Sequence, residues 1–408
     1  MYFFELNLVA ASVPFTFDNI MSKRYQSLGV SAGKEDVHHA IRNLDKGLFE
    51  RAFCKVLPDY VGSDLDFVNF IHADTAGTKT SLAYLDWKES NDFSVWERIA
   101  QDALVMNLDD LACVGCFDDI IISSTIGRNK HLIPGKVIEH IILGTESFIA
   151  KMKDFGIQIH SGGGETADVG DIVRTIDVGI TAFGRLPKKD LVINQISDGD
   201  LIVGLASFGQ SIYESNYNSG IGSNGLTAAR HDVLKKDYSL TEESYAPQTE
   251  KDYIYTGSYK LSDQFVFSNT SYRVGDLLLS PTRTYLPLLR SFVKNHRDAI
   301  HGIIHCTGGA QTKVKKFIDP LRIVKNNLFR IPPVFELIRS QSLCSPQETY
   351  EVYNMGHRME VYSNAASADA LIKLAAEFNI EARIIGFVEK AAQPEVLIQS
   401  ELGEFLYN

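Results

Sequence analysis

No stretch of the 408-residue chain comes near the ~20 consecutive apolar residues that a membrane-spanning helix needs. Cysteine is scarce and odd in number. The five, Cys54, Cys113, Cys116, Cys306 and Cys344, are scattered, which speaks against a disulfide framework and for a reducing compartment. Cys113 and Cys116 form a lone C-x-x-C without the companion ligands of a zinc site, and read as small apolar residues. Positive charge is short as well: 40 Lys and Arg stand against 51 Asp and Glu, a net charge of −11. The chain therefore lacks the basic footprint that a nucleic-acid surface requires. An acidic enzyme can still bind phosphorylated substrates through local Lys, loop amides and metal. Repeats, heptad runs and low-complexity tracts are missing too.

What is present is an ordinary globular composition, 45% hydrophobic and 22% charged, in a length that suggests two domains. The apolar opening, Met1 to Phe17, has no basic n-region and carries Glu5, so it does not read as a signal peptide. Met21 looks the more natural start, with residues 1–20 as an extension, and a cytoplasmic enzyme is expected.

The pattern alternates strands and helices. Lys34 to Leu48 has helical spacing, Leu65 to Ile71 alternates as a strand, and Ser81 to Trp87 is helical again. Val95 to Leu111 and Pro134 to Phe155 read as helices, the latter with Pro near its first turn. Ile120 to Ile126 and Val173 to Phe183 read as strands, and Ile157 to His160 as a short strand running into a glycine loop. A polar passage from Lys188 to Asp200 marks a domain boundary, giving 21–188 and 189–408. Residues 209–225 and 238–273 are long, irregular and rich in Tyr, Ser and Asn, which suggests lids, binding loops or partner surfaces. Toward the end, Ser367 is the expected N-cap of a helix to Phe378.

Three acidic stretches carry the chemistry. In His72-Ala73-Asp74-Thr75-Ala76-Gly77-Thr78-Lys79 an acid ends a strand, and a small-residue loop and a Lys follow. Amides of such a loop can cradle phosphate, Lys79 can neutralise it, and Asp74 can hold Mg²⁺. An ordinary capped turn is the bland alternative. Gly162-Gly163-Gly164-Glu165-Thr166 and Asp109-Asp110 add two further acids near small residues. Mg²⁺ commonly takes one or two carboxylates plus substrate phosphates, so Asp74, Asp110 and Glu165 form a candidate Mg-ATP set. Thr307-Gly308-Gly309 reads as an anion nest or a tight turn. His160 and His305 each end an apolar run and read as satisfied loop or core histidines.

In order, these loops resemble the aminoimidazole ribonucleotide synthetase family, also called phosphoribosylformylglycinamidine cyclo-ligase. The resemblance rests on Gly29-Val30-Ser31-Ala32-Gly33, Asp74 to Lys79, Asp110-Leu111, Gly163 to Ala167, Ser197-Asp198-Gly199-Asp200, Ser223-Asn224-Gly225, Pro281-Thr282-Arg283 and Thr307-Gly308-Gly309. It implies an α/β (mixed α+β) two-domain ATP-binding synthetase fold whose N-terminal domains pair into a dimeric β-barrel. It implies a ligase that uses ATP and Mg²⁺ to close the ring of formylglycinamidine ribonucleotide in purine biosynthesis, as a homodimer. On this reading Asp110 and Lys79 are catalytic. Lys34, Asp74, Gly77, Thr78, Lys79, Gly163, Gly164, Glu165 and Thr166 bind ATP. Ser223, Asn224, Gly225, Thr307, Gly308 and Gly309 bind substrate, and Asp74, Asp110 and Glu165 bind metal. Two departures stand out: Asp109 replaces a family Asn, and Gly222 replaces the family His before Ser-Asn-Gly, with His231 a guess at its substitute. The alternatives are another ATP enzyme of the superfamily, for which Cys54 is poorly placed to serve as a selenophosphate-type nucleophile, or a degenerate nucleotide-binding paralogue.

Overall fold

The computed structural model describes residues 28–30 and 35–408. Expectations for residues 1–20, Met21, Ser31 to Gly33 and Lys34 lie outside the described residues. Two sheets organise the rest, in a mixed α/β architecture. The first contains β1 (Leu57–Pro58), β2 (Phe67–Thr75), β3 (Ile120–Arg128), β4 (Ile159–Asp168) and β5 (Ile176–Pro187), in the order β1-β2-β5-β3-β4. Helices α1 (Glu35–Ala40), α2 (Lys79–Ser90), α3 (Ser94–Ala112) and α4 (Gly135–Asp154) accompany it. β3 and β4 run parallel and are joined through α4, the crossover that parallel neighbours need.

α3 packs on β2 and β5 and against α4, burying Trp96, Ile99, Leu104, Leu108 and Leu111. The alternation of β2 follows from this: Phe70 is fully buried, whereas Ile71 on the opposite face is 60% exposed. Ile121 on β3 is likewise 47% exposed. One face of the first sheet is thus covered by helices and the other carries large apolar side chains into solvent. Among the described residues of the chain the sheet does not close into a barrel.

The second sheet contains β6 (Leu201–Ala206), β9 (Ile300–His305), β10 (Leu321–Lys325), β11 (His357–Ser363), β12 (Ala382–Lys390), β13 (Glu395–Ser400) and β14 (Gly403–Tyr407), in the order β14-β13-β10-β12-β6-β11-β9. β7 (Gln264–Phe267) and β8 (Thr270–Arg273) form a separate hairpin. Every residue of β11 is buried, polar ones included. Lys325 pairs with Glu360, which also accepts from Tyr362 Oη at 2.7 Å and lies 2.9 Å from His357 Nε2.

Several elements differ from the sequence pattern. β2 continues past Ile71 to Thr75, and Asp74 stands near its end, as expected. The Gly162–Gly164 stretch is also strand: β4 runs unbroken from Ile159 to Asp168, because its backbone pairs with β3 across a register shift near Ser124. The first helix ends at Ala40 instead of reaching Leu48. The last helix, Ala365–Glu377, is capped by Asn364, whose side chain accepts from Ser367 N at 3.0 Å, so Ser367 lies inside it. The Tyr-rich regions are packed rather than loose. Tyr255 is fully buried, and Tyr213 Oη donates to the Thr284 carbonyl at 2.6 Å. Their core is aromatic and hydrogen-bonded, so aliphatic periodicity does not reveal it.

The close approach of β3 and β4 gives a test. A Cβ at Gly164 would lie 2.2 Å from Ser124 Oγ and 2.3 Å from its carbonyl oxygen. Gly164→Ala should therefore destabilise the protein by about 1–3 kcal/mol through overpacking. Gly163→Ala meets no atom within 4 Å and suffers only the strain of its φ of +84°. Urea unfolding of both variants checks the ranking.

Candidate active site

Helical spacing on α3 sorts its acids. Asn107 and Asp110, three apart, meet β2, while Asp102 and Asp109, two turns apart, meet the 280–285 segment. Strand alternation places His72 on the same face as Phe70, toward α3.

Asp110 sits between two imidazoles. Its Oδ1 is 2.6 Å from His305 Nδ1 and its Oδ2 3.2 Å from His72 Nε2. His72 Nδ1 lies 2.9 Å from Asn107 Oδ1, and Asn107 Nδ2 donates to the Ala103 carbonyl at 2.9 Å and the Asp74 carbonyl at 3.3 Å. Burial alone would lower the pKa of His72. The hydrogen bond and charge of Asp110, with help from Asn107 and Asp74, outweigh it and raise the pKa to about 9. Burial pushes Asp110 the other way, but the two imidazoles hold its carboxyl well below the usual range. The result is an ionised pair, His72⁺ and Asp110⁻, next to the exposed Asp74.

Lys79 is fully buried. Its ammonium donates to Asp102 Oδ1 at 2.8 Å, the Gly222 carbonyl at 3.1 Å and the Ser280 carbonyl at 2.5 Å. Burial lowers its pKa and Asp102 opposes that. Asp102 Oδ1 also accepts from Thr282 N at 2.7 Å and Thr282 Oγ1 at 2.5 Å, and Thr282 Oγ1 lies 3.2 Å from Ser223 Oγ. The Ser223 turn is thereby tied to the first unit through Lys79 and Asp102. Asp109 accepts from Thr284 Oγ1 at 2.6 Å and Tyr285 N at 3.2 Å.

The other expected residues are placed as follows. Asp74 is exposed at the end of β2, with Oδ1 accepting from Thr75 N at 2.7 Å. Asp177 on β5 has a raised pKa, from burial first, with the charge of Asp74 adding to it. Gly77 has φ +61°, and a Cβ there would meet nothing within 4 Å, leaving room beside the loop. Thr78 Oγ1 is 2.8 Å from Thr227 Oγ1. Gly163, Gly164, Glu165 and Thr166 lie exposed on β4. Asn224 is half-buried, and Gly225 has φ +76° beneath the Tyr353 ring. Thr307 is buried, while Gly308 and Gly309 are half-buried, with open space where a Gly308 Cβ would stand.

The structure does not bring the three expected metal acids together in one protomer. Asp74 pairs in register with Ile180, Ile180 with Ser124, and Ser124 with Gly164, so β5 and β3 separate Asp74 from Glu165. Three strand spacings amount to roughly 14 Å, whereas Mg²⁺ ligands lie about 2 Å from the ion. Both oxygens of Asp110 are taken by imidazoles, which leaves Asp74 and Glu165 as the acids that are exposed. Nor does Lys79 present its ammonium to a phosphate loop, because three oxygens already surround it. His231 is buried against Tyr255, with ring centroids 4.6 Å apart, and does not stand in for the imidazole expected at Gly222.

His72, Asn107, Asp102, His305 and Arg358 carry contacts that the sequence did not assign to them. His72 stood two residues before a recognised acid, which was the available signal. His305 read as a satisfied histidine, and so it is, but its partner is Asp110. Elsewhere Cys306, His357 and Glu360 form a buried cluster of metal-ligand types. Its cation position is filled by the Lys325 ammonium on Glu360. Cys54 is buried with its thiol pushed up, first by burial, and donates to the Asp110 carbonyl at 3.2 Å.

Comparison with known proteins adds a lineage. Residues 63–186 match the family described as AIR synthase related protein, N-terminal domain, and residues 197–399 its C-terminal domain. The phosphoribosylformylglycinamidine cyclo-ligase of Methanococcus vannielii is 27% identical over 378 residues, covering 90% of this chain and 92% of that protein. That of Methanocaldococcus jannaschii is 27% identical over 330 residues, 79% of each. Among solved structures, Thermotoga maritima PurL complexed with FGAR superposes with a TM-score of 0.54 at 15% identity, over 96% of this chain. This chain spans about half of PurL, 52%. AaThiL complexed with AMPPCP and TMP gives 0.51 at 12% identity, over 92% of this chain and 95% of that one. Both likenesses concern the fold.

Two outcomes follow from the geometry. His72 has a folded pKa raised above its unfolded value near 6.5, so the folded state binds the extra proton between those values. Its contribution should be complete below about pH 6.5 and lost as pH rises through about 9. Melting temperature should fall across that window, and His72→Gln should flatten the fall. Lys79→Met should leave Asp102 buried and unpaired and destabilise the fold by about 3–5 kcal/mol. A phosphate-binding lysine would instead leave the melt unchanged and weaken ATP binding, which calorimetry distinguishes.

Proposed function

We propose that this chain, which belongs to the AIR synthase related family, closes the imidazole ring of formylglycinamidine ribonucleotide with ATP, yielding aminoimidazole ribonucleotide, ADP and phosphate in purine biosynthesis. The observation that carries this reading is coverage: a cyclo-ligase relative aligns over 90% of the chain, across both sheets. An amide oxygen leaves poorly. Once ATP has phosphorylated the formyl oxygen, the amidine nitrogen attacks that carbon, the C–O bond breaks, and phosphate departs. The protein's task is to position these groups and exclude water.

Asp74, Gly77 and Thr78, with Gly163, Gly164, Glu165 and Thr166, are assigned to ATP. Lys34 is kept as a nucleotide contact by resemblance alone. Ser223, Asn224 and Gly225, with Thr307, Gly308 and Gly309, are assigned to substrate. The exposed oxygens of Asp74, beside the partly buried Asp177, suit a hard cation, and Mg²⁺ bound there would neutralise developing phosphate charge. Asp110 keeps a fixed negative charge behind that site and holds His72 as a cation. Lys79 acts by anchoring the Gly222 and Ser280 carbonyls, which sets the Ser223 turn.

The active form is assigned as a cytoplasmic homodimer through the first sheet, within about residues 65–185. The exposed edge β4 and the apolar Ile71 and Ile121 are surfaces that pairing would cover. Dimerisation also answers the separation of the acids: Asp74 and Glu165 can share one metal–phosphate site only if they come from different protomers.

Substrate-dependent ADP release, with the product identified by mass spectrometry, tests the activity. ATP turnover indifferent to formylglycinamidine ribonucleotide would point to another superfamily reaction, and none at all to a paralogue. Asp74→Asn and Glu165→Gln should each cut kcat by about a hundredfold or more. Mixed dimers of the two variants should recover a fraction of activity, because one of their two sites is intact. No recovery would place both acids in one protomer's site.

A further inference from the structure

Arg358 follows His357 on β11 and is 2% exposed. Its Nε donates to His305 Nε2 at 3.0 Å. One terminal nitrogen, Nη2, donates to the Arg283 carbonyl and lies 3.6 Å from Asp109 Oδ2. The other, Nη1, has no hydrogen-bond partner among the described residues. It faces Gly222, where a Cβ would stand 3.3 Å away. The guanidinium lies 5.5 Å from the centroid of the Tyr285 ring.

A guanidinium donates and never accepts, and it keeps its proton in proteins. The contact at His305 Nε2 therefore requires a bare lone pair on that nitrogen. An N–H there would set two donors against each other. The proton must sit on Nδ1, which is 2.6 Å from Asp110 Oδ1. Turning the ring over would set carbon atoms against both partners. His305 is thus the neutral Nδ1–H tautomer. His72 has the opposite setting. Both its nitrogens meet oxygens, Asn107 Oδ1 at 2.9 Å and Asp110 Oδ2 at 3.2 Å, so both carry protons. Asp110 receives one charged and one neutral imidazole, while Arg358 balances Asp109.

We propose that Arg358 is a positioning residue: it fixes His305 as the neutral Nδ1–H tautomer, which orients the Asp110 carboxylate toward His72. Through β2 this reaches Asp74, since His72 and Asp74 are held by the same Asn107. Its spare Nη1 lies beside Gly222 in the turn that opens into Ser223, so one side chain borders both the acid relay and the proposed substrate turn. The consequence for turnover rests on the cyclo-ligase reading; the tautomer does not.

The test is nuclear magnetic resonance on the full-length chain with ¹⁵N-labelled histidine in a deuterated background, His305→Gln assigning the signals. At pH 7.5 His305 should show a protonated Nδ1 and a bare Nε2. Arg358→Leu should place proton density on His305 Nε2. Arg358→Lys, which keeps a donor, should retain more of the wild-type pattern. In turnover, Arg358→Leu should lose about tenfold to hundredfold in kcat, the range for lost orienting partners, with KM for ATP nearly unchanged. A wild-type His305 protonated on Nε2, or on both nitrogens, would overturn the proposal. So would a folded Arg358→Leu protein with an unaltered His305 spectrum. If the leucine variant fails to fold, the wild-type spectrum alone decides. Should the protein prove to have another activity, the nitrogen signals would be unaffected, so the two failures are distinguishable.

Discussion

The carboxylate of Asp110, held between His72 and His305, is the contact on which the arrangement of the site depends. It joins a strand of the first sheet, the helix α3 packed on that sheet and the last residue of a strand in the second. Taking a carboxylate out of water is costly unless its oxygens are matched. Here one imidazolium and one imidazole match them, and each imidazole is in turn fixed by another polar group. The chain of contacts ends in Asn107 on one side and Arg358 on the other. That is why the charge can persist in the interior, linked through His72 and Asn107 to a solvent-facing acid.

A second buried ion pair, Lys79 with Asp102, works in parallel. It is fully enclosed, and its remaining donors go to two backbone carbonyls from distant parts of the chain. A buried pair of this kind adds little net stability compared with apolar packing, but removing one partner is expensive. Its effect is to fix register between the start of α2 and the turn before Ser223. The position of the Ser223 turn is thus set from the first unit.

The helices and strands of the first unit were largely legible from periodicity. Val95 to Leu111 and Pro134 to Phe155 match α3 and α4 to within a residue or so at each end. The errors have physical causes. Glycines at 162–164 looked like a loop, yet Gly164 is there because β4 crowds Ser124. Ser367 looked like a cap, but Asn364 caps the helix three residues earlier and takes the amide of Ser367 itself. The tyrosine-rich stretches looked like irregular surface loops because hydrogen-bonded aromatics carry no aliphatic period. In the site, acids were visible as acids, but their partners were not. Asp110 and His305 stand far apart in sequence, and only the docking of the two sheets makes them neighbours. Lys79 looked like a phosphate ligand because sequence shows charge and not enclosure.

The passage between the two sheets read as a boundary, and it is tightly stitched. Val192 N donates to the Val114 carbonyl, Asn194 Nδ2 to the Arg51 carbonyl, and Asn194 Oδ1 accepts from Ile303 N. Leu191, Val192 and Asn194 are buried. Such a segment cannot serve as a hinge, because opening it would strand amides and carbonyls that now serve both halves. The two units are therefore one cooperative body, and separating them would expose the polar seam of Lys79, Asp102 and Asp110 at once. The contacts of Asp110 with His305 and of Lys79 with the Gly222 carbonyl are therefore set once, when the chain folds.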